Sequence, residues 1–118
     1  MTTKLLQLSA LALVFFGEAV AITAELFSSK LVANGSPIGT FFWMSLLMAA
    51  GGAMLIGGYM LGYLYFKNIW IIVVISLGTL AILEPLLALI LFHESPTTGA
   101  LIGLILGILA LLSALFIP

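Results

Sequence analysis

Four continuous apolar runs, each long enough to cross a bilayer as a helix, constrain the fold of this chain more than any other feature. A hydrocarbon core of about 30 Å is crossed by about 20 apolar residues in an α-helix. The runs are interrupted by short segments that carry charges, serines, glycines or prolines, which end helices. We therefore predict one all-α membrane domain over residues 1–118, with transmembrane helices at roughly 5–27, 38–66, 69–92 and 99–117.

The composition excludes most other classes of protein. Hydrophobic residues make up 64% of the chain and charged residues only 6%, whereas a soluble domain is about one quarter charged. Three lysines, no arginine and a net charge of −1 argue against nucleic-acid binding. There is no cysteine and one histidine, so we expect no metal site and no cofactor. No nucleophile–base pair or phosphate-binding loop is apparent, so we expect no enzyme.

The first run is expected to remain as a helix and not to be cleaved as a signal peptide. It is too long for the apolar region of a signal peptide, and Glu18 lies inside it. Four spans place both termini on one side with Lys4 and Lys67, and Lys30 on the other side. The positive-inside rule favours cytoplasmic termini, although by a margin of one lysine, so insertion in both orientations stays open.

Glu18 is the most informative polar residue, because it lies near the middle of the first span. A charged carboxylate at the centre of a bilayer costs about 2.5 kcal/mol or more, and such residues usually face a cavity or a partner. No basic residue lies in a span to pair with it. We favour a proton-exchanging binding site. The alternative is a neutral carboxylic acid that is hydrogen-bonded between helices.

The other intramembrane carboxylates allow simpler interpretations. Glu25 lies near the predicted interface, where reaching water or headgroups is the favoured role and the entrance to a site is the alternative. Glu84 precedes Pro85, which tends to kink a helix and to free a carbonyl, so Glu84 either lines a cavity or is a protonated residue at a hinge. His93 at the end of the third span is interpreted as a solvated residue.

Glycines at a spacing of four residues predict close helix packing. Gly58 and Gly62 form such a pair in the second span, and Gly99, Gly103 and Gly107 repeat at the same spacing in the fourth. Small residues at this spacing let two helices approach closely. The stripe on the fourth helix suits contact with a second subunit, and packing inside one chain is the alternative.

These features resemble the small multidrug resistance branch of the drug/metabolite transporter superfamily. The chain has the length of that branch and four spans, and Glu18 lies in the middle of the first. Residues 83–88 and 92–96 are similar to the end of the penultimate helix and the following loop in many superfamily repeats. Residues 102–108 are similar to the glycine motif of the final helix. The resemblance covers most of the chain, although its motifs are short and apolar.

The resemblance implies an antiparallel dimer in a bacterial inner membrane, with the two Glu18 carboxyls in one substrate chamber and the fourth helices holding the dimer together. Ser76 matches a serine of the third helix in that branch. Ile72 and Ile75 stand where the branch places a tyrosine and a tryptophan. Aromatic rings attract organic cations, so their absence argues against export of drug cations.

Two functions of different classes follow from the sequence. The first is a secondary transporter of small amphipathic metabolites or lipid-linked groups, coupled to protons through Glu18, with Glu84 and Ser76 in the site. It would act as a homodimer or with a related four-helix subunit. The second is a non-transporting accessory subunit of a larger membrane complex.

Overall fold

The structure is a computed structural model that describes residues 2–117. In it the chain folds into four long α-helices. The helices are α1 (Thr3–Leu31), α2 (Pro37–Phe66), α3 (Ile69–Phe92) and α4 (Thr98–Phe116). All four are long and apolar enough to cross a membrane. The predicted all-α fold with four spans is therefore confirmed, and the protein is an integral membrane protein. The two end positions of the predicted domain lie outside the described residues.

The first loop is shorter than the sequence indicates. Positions 28–30, expected to be loop, are helical and belong to α1. Serine and lysine do not break a helix, and here their side chains bond to nearby carbonyls. Ser28 Oγ donates to the carbonyl of Glu25 at 2.6 Å. Lys30 Nζ donates to the carbonyl of Leu91 at 2.9 Å, which satisfies an acceptor at the end of α3 and places a cation at its negative end.

The other helix ends carry ordinary capping groups. Ser36 Oγ accepts a hydrogen bond from the N–H of Gly39 at the start of α2, and Asn68 Oδ1 accepts one from the N–H of Trp70 at the start of α3. Lys67 and His93 end α2 and α3 in the left-handed conformation, with φ of 57° and 55°. The connection between α2 and α3 is therefore only two residues long.

Helices α1, α2 and α3 all contact one another, and α4 lies beside α3. Helix α1 contacts α2 and α3, whereas α4, among residues 2–117, contacts only α3. The Cα atoms span 47 × 33 × 16 Å, so the protomer is flattened along one direction. The middle position of α1 explains why it holds most of the buried residues.

Glycines bring α1 and α2 into contact at the level of the backbone. A Cβ on Gly17 would lie 3.0 Å from the amide nitrogen of Leu55 and 3.1 Å from the carbonyl of Gly51. A Cβ on Gly58 would lie 3.0 Å from the amide nitrogen of Val14. Close approach of this kind is how helices in a membrane gain packing energy, because lipid provides no hydrophobic drive between them.

Candidate functional site

Glu18 and Ser76 form a buried polar pair between α1 and α3. Glu18 is 7% exposed and Ser76 is 6% exposed. Ser76 Oγ donates a hydrogen bond of 2.5 Å to Glu18 Oε1. The two predicted site residues are therefore in direct contact. Val14, Ile22 and Ile72 are buried apolar residues of the same core.

No basic side chain of the described chain lies at the depth of Glu18. Lys4 and Lys30 lie in the end turns of α1, while Lys67 and His93 are the residues that end α2 and α3. Glu18 is the fifteenth residue after the start of α1 and is separated from either end by about 20 Å of helix. The carboxyl is thus held by a neutral hydroxyl at mid-helix and not by an ion pair.

The Glu18–Ser76 pair has chemistry that would allow the Glu18 carboxyl to exchange a proton. A serine hydroxyl donates to a carboxylate, and it can turn to accept a hydrogen bond from a carboxylic acid. The Glu18–Ser76 bond can therefore persist in both protonation states with the hydroxyl reoriented. A lysine or arginine partner would instead fix the carboxylate in its charged form.

Thr79 is a buried polar residue beside the pair that the sequence analysis missed. It lies three positions after Ser76, and therefore on the same face of α3, and is 7% exposed. Its Oγ1 donates to the carbonyl of Ile75 at 2.8 Å, so its donor is used within its own helix. The sequence feature that could have indicated Thr79 is its spacing of three residues from Ser76, which places both on one face of α3.

Ile72 and Ile75, which stand where the small multidrug resistance branch has a tyrosine and a tryptophan, occupy different environments. Ile72 is fully buried and fills the space above Gly62, where an added Cβ would overlap its side chain. Ile75 is half-buried. Ile72 is therefore a packing residue between α2 and α3, and only position 75 retains a partly open side chain.

Glu84 does not join Glu18 and Ser76. It is half-buried on α3, eight residues and about 12 Å beyond Ser76 along the helix. Together with Pro85 it lines a groove between α3 and α4. Helix α3 continues through Pro85. Glu25 is exposed, and the roles expected of Glu84 and Glu25 stay predictions.

The two sets of glycines have different surroundings. Gly58 and Gly62 are buried and pack within the chain, Gly58 on Val14 and Gly62 on Ile72. The predicted close packing of this pair is found inside the protomer.

The stripe on α4 does not pack in this way. A Cβ on Gly99, Gly103 or Gly107 would meet no atom of the described chain within 4 Å. No residue of α4 is buried. The contact of this stripe with another helix, predicted from its spacing, therefore does not occur inside one protomer, and its use between subunits stays a prediction.

Comparison of the chain with protein-family models, curated proteins and solved structures finds no match.

Proposed function

We propose that this protein is a proton-coupled secondary transporter of small amphipathic metabolites or lipid-linked groups. The observation that carries the proposal is the burial of Glu18 at mid-helix with Ser76 as its hydrogen-bonding partner. Ionisable residues inside a membrane are expensive and usually functional. A transporter of this kind needs a group that holds either a proton or a substrate, and the pair has the chemistry to do so.

The proposed working unit is a homodimer, or a pair with a related four-helix subunit, in a bacterial inner membrane with cytoplasmic termini. The uncovered surface of α4 supplies apolar area for a second chain. A second protomer would close a chamber over the α1 and α3 faces.

An accessory subunit of a larger complex is the second candidate. The same uncovered α4 favours it, since any partner helix would cover that surface equally well. The two candidates differ in stoichiometry after mild detergent extraction. A transporter is expected to elute as two copies of a four-helix chain, whereas an accessory subunit is expected to co-purify in a fixed ratio with other chains.

The proposal predicts that Glu18 exchanges a proton in the folded protein. We expect acid–base titration in detergent to detect one more titrating proton per chain in the purified wild type than in Glu18→Gln. Glutamine keeps the shape and hydrogen bonding of the side chain but has no acidic proton. Glu18→Asp, which retains a carboxyl, should match the wild type. Equal proton counts for the wild type and Glu18→Gln would show a carboxyl sealed from solvent and would remove the coupling role.

A further inference from the structure

The two carboxyl oxygens of Glu18 have different surroundings. Oε1 accepts the hydrogen bond from Ser76 Oγ, whereas no hydrogen bond of the described chain reaches Oε2. Every buried polar side-chain atom within residues 2–117 has a hydrogen-bond partner. Oε2 has none, so it is not sealed in the core, and it accounts for part of the 7% of Glu18 that is exposed. The carboxyl therefore has one held oxygen and one open oxygen.

Ser76 uses its single donor differently from other hydroxyls in the helices. A serine or threonine inside a helix commonly donates to a carbonyl of its own helix, three or four residues back. Hydroxyls of the described helices that do so are those of Ser9, Thr23, Ser28, Ser29, Thr79 and Ser113. Ser76 instead reaches from α3 to α1, in the one hydrogen bond between two side chains among the described residues. Its hydroxyl is therefore committed to Oε1.

The titratable groups nearest to this carboxyl lie at other depths of the helices. On α1 the nearest is Glu25, seven residues and about 10 Å along the helix, and on α3 it is Glu84, about 12 Å beyond Ser76. On α2 it is Tyr59, which lies one turn past the contact with Gly17. Helix α4 carries no titratable residue and does not contact α1. Within residues 2–117, Ser76 is therefore the one side chain that bonds to the carboxyl.

The held oxygen leaves Oε2 as the place for a proton. When a proton adds to Oε2, Oε1 becomes the carbonyl oxygen of the neutral acid and still accepts the bond from Ser76. The hydroxyl does not have to turn, and the carboxyl keeps its orientation in both states. A proton and a substrate then compete for the same oxygen, which is what exchange of one for the other requires.

One open oxygen also limits the kind of head group that the carboxyl can bind. A guanidinium pairs with a carboxylate through two parallel N–H···O bonds, one to each oxygen. An ammonium is a compact charge whose N–H donors act singly, so it can bond to Oε2 alone. Ser76 holds Oε1 toward α3 and so removes the second oxygen from a guanidinium. The arrangement favours a head group that needs a single acceptor.

We propose that Ser76 is a positioning residue of the transport site, which holds Oε1 of Glu18 so that Oε2 takes either the proton or an N–H of the substrate. The substrate class is an amphipathic amine with a primary or secondary ammonium head, and not a planar head that needs both oxygens. The inference rests on the proposed function, and it adds the separate roles of the two oxygens and the chemistry of the head group.

The first test compares two amphiphiles that share one alkyl chain and differ in the head, an alkylammonium and an alkylguanidinium. Their dissociation constants for the purified protein are measured by calorimetry in detergent. We expect Ser76→Ala to shift the ratio of the two constants about tenfold in favour of the guanidinium, which gains one charge-assisted hydrogen bond with Oε1. Ser76→Thr keeps the hydroxyl and should keep the wild-type ratio. A purely structural role of Ser76 would change both constants together.

The second test observes the carboxyl directly by infrared spectroscopy. The difference between spectra at low and high pH contains the C=O band of each carboxyl that is protonated, and the band lost in Glu18→Gln belongs to Glu18. We expect Ser76→Ala to move that band to higher wavenumber, because the carbonyl oxygen loses its hydrogen bond, and Ser76→Thr to restore it. Thr79→Val removes a buried hydroxyl that bonds within α3, and it should leave the band unmoved.

The outcomes separate this inference from the proposed function. Binding of both amphiphiles by Glu18→Gln as tightly as by the wild type, or a wild type without a pH-dependent Glu18 band, would overturn both. If binding and the band depend on Glu18, an unchanged ratio or an unmoved band in Ser76→Ala would overturn the role of Ser76 alone. Ser76→Cys has nearly the same shape and only a weak donor, and the same comparisons apply to it if the alanine variant does not fold.

Discussion

Glu18 owes its environment to three neighbouring features of the chain. The middle position of α1 removes the residue from lipid, and Ser76 on α3 supplies a hydroxyl at 2.5 Å. Thr79 on the same face gives its own donor to the carbonyl of Ile75 and so leaves Ser76 as the partner. A buried carboxyl that is held by one neutral, rotatable donor retains the freedom to change protonation state.

If the proposed transport site is correct, we expect position 75 to influence how well it holds an aromatic cation. Loss of a desolvated cation–π contact costs about 2 kcal/mol, which is about thirtyfold in binding constant. We therefore expect the protein to confer no strong resistance to quaternary ammonium compounds in a sensitive bacterium. Ile75→Trp, at the half-buried position, should strengthen binding of a planar aromatic cation in detergent by up to about thirtyfold.

Ile75→Leu is the matched control, since it adds no aromatic ring and should leave that binding unchanged. Tight binding of such a cation by the wild type, in competition with protons, would contradict the expectation and favour a drug exporter.

At the level of the helices, neighbouring glycines on α2 provide a test of backbone packing. A Cβ on Gly51 would lie 3.0 Å from the amide nitrogen of Ala21 and from the carbonyl of Gly17, whereas a Cβ on Gly52 meets no atom within 4 Å. We expect Gly51→Ala to destabilise the fold by about 1–3 kcal/mol, because α1 and α2 must move apart.

Gly52→Ala should be neutral or slightly stabilising, because alanine is the better helix former. Thermal unfolding in detergent, followed by circular dichroism, compares the two variants. Equal loss of stability would mean that α1 and α2 do not cross at Gly51.

The helices themselves could be predicted from the sequence because a run of apolar residues is sufficient to define a span. Their ends were harder to place, since serine and lysine at positions 28–30 continue α1 by bonding to nearby carbonyls. Which face of each helix packs could not be predicted. In lipid every face is apolar, so no amphipathic pattern marks the buried side.

The same reason limits what the sequence reveals about the candidate site. Glu18 stands out because a carboxylate in a span is rare. Its partner Ser76 was indicated only by the family resemblance, and Thr79 and the groove depend on how α1, α3 and α4 are placed. The glycine pair on α2 and the stripe on α4 have the same spacing, yet only the pair packs inside the protomer.

The whole protomer is flattened, and Glu18 is buried between α1 and α3. Glu18 is 7% exposed in the protomer alone, and a substrate chamber beside it would need walls from a second chain. The function proposed for Glu18 therefore depends on the assembly as much as on the residue.

The most direct test of the central claim is proton movement through reconstituted vesicles that contain a pH-sensitive dye. A panel of amphipathic metabolites is added outside, and the internal pH is followed for the wild type, Glu18→Gln and Glu18→Asp. We expect at least one metabolite to drive proton movement in the wild type, none to do so in Glu18→Gln, and partial movement in Glu18→Asp. Proton movement in Glu18→Gln equal to that of the wild type would contradict the account. So would a wild type that moves no protons with any metabolite and is found only within a larger membrane assembly.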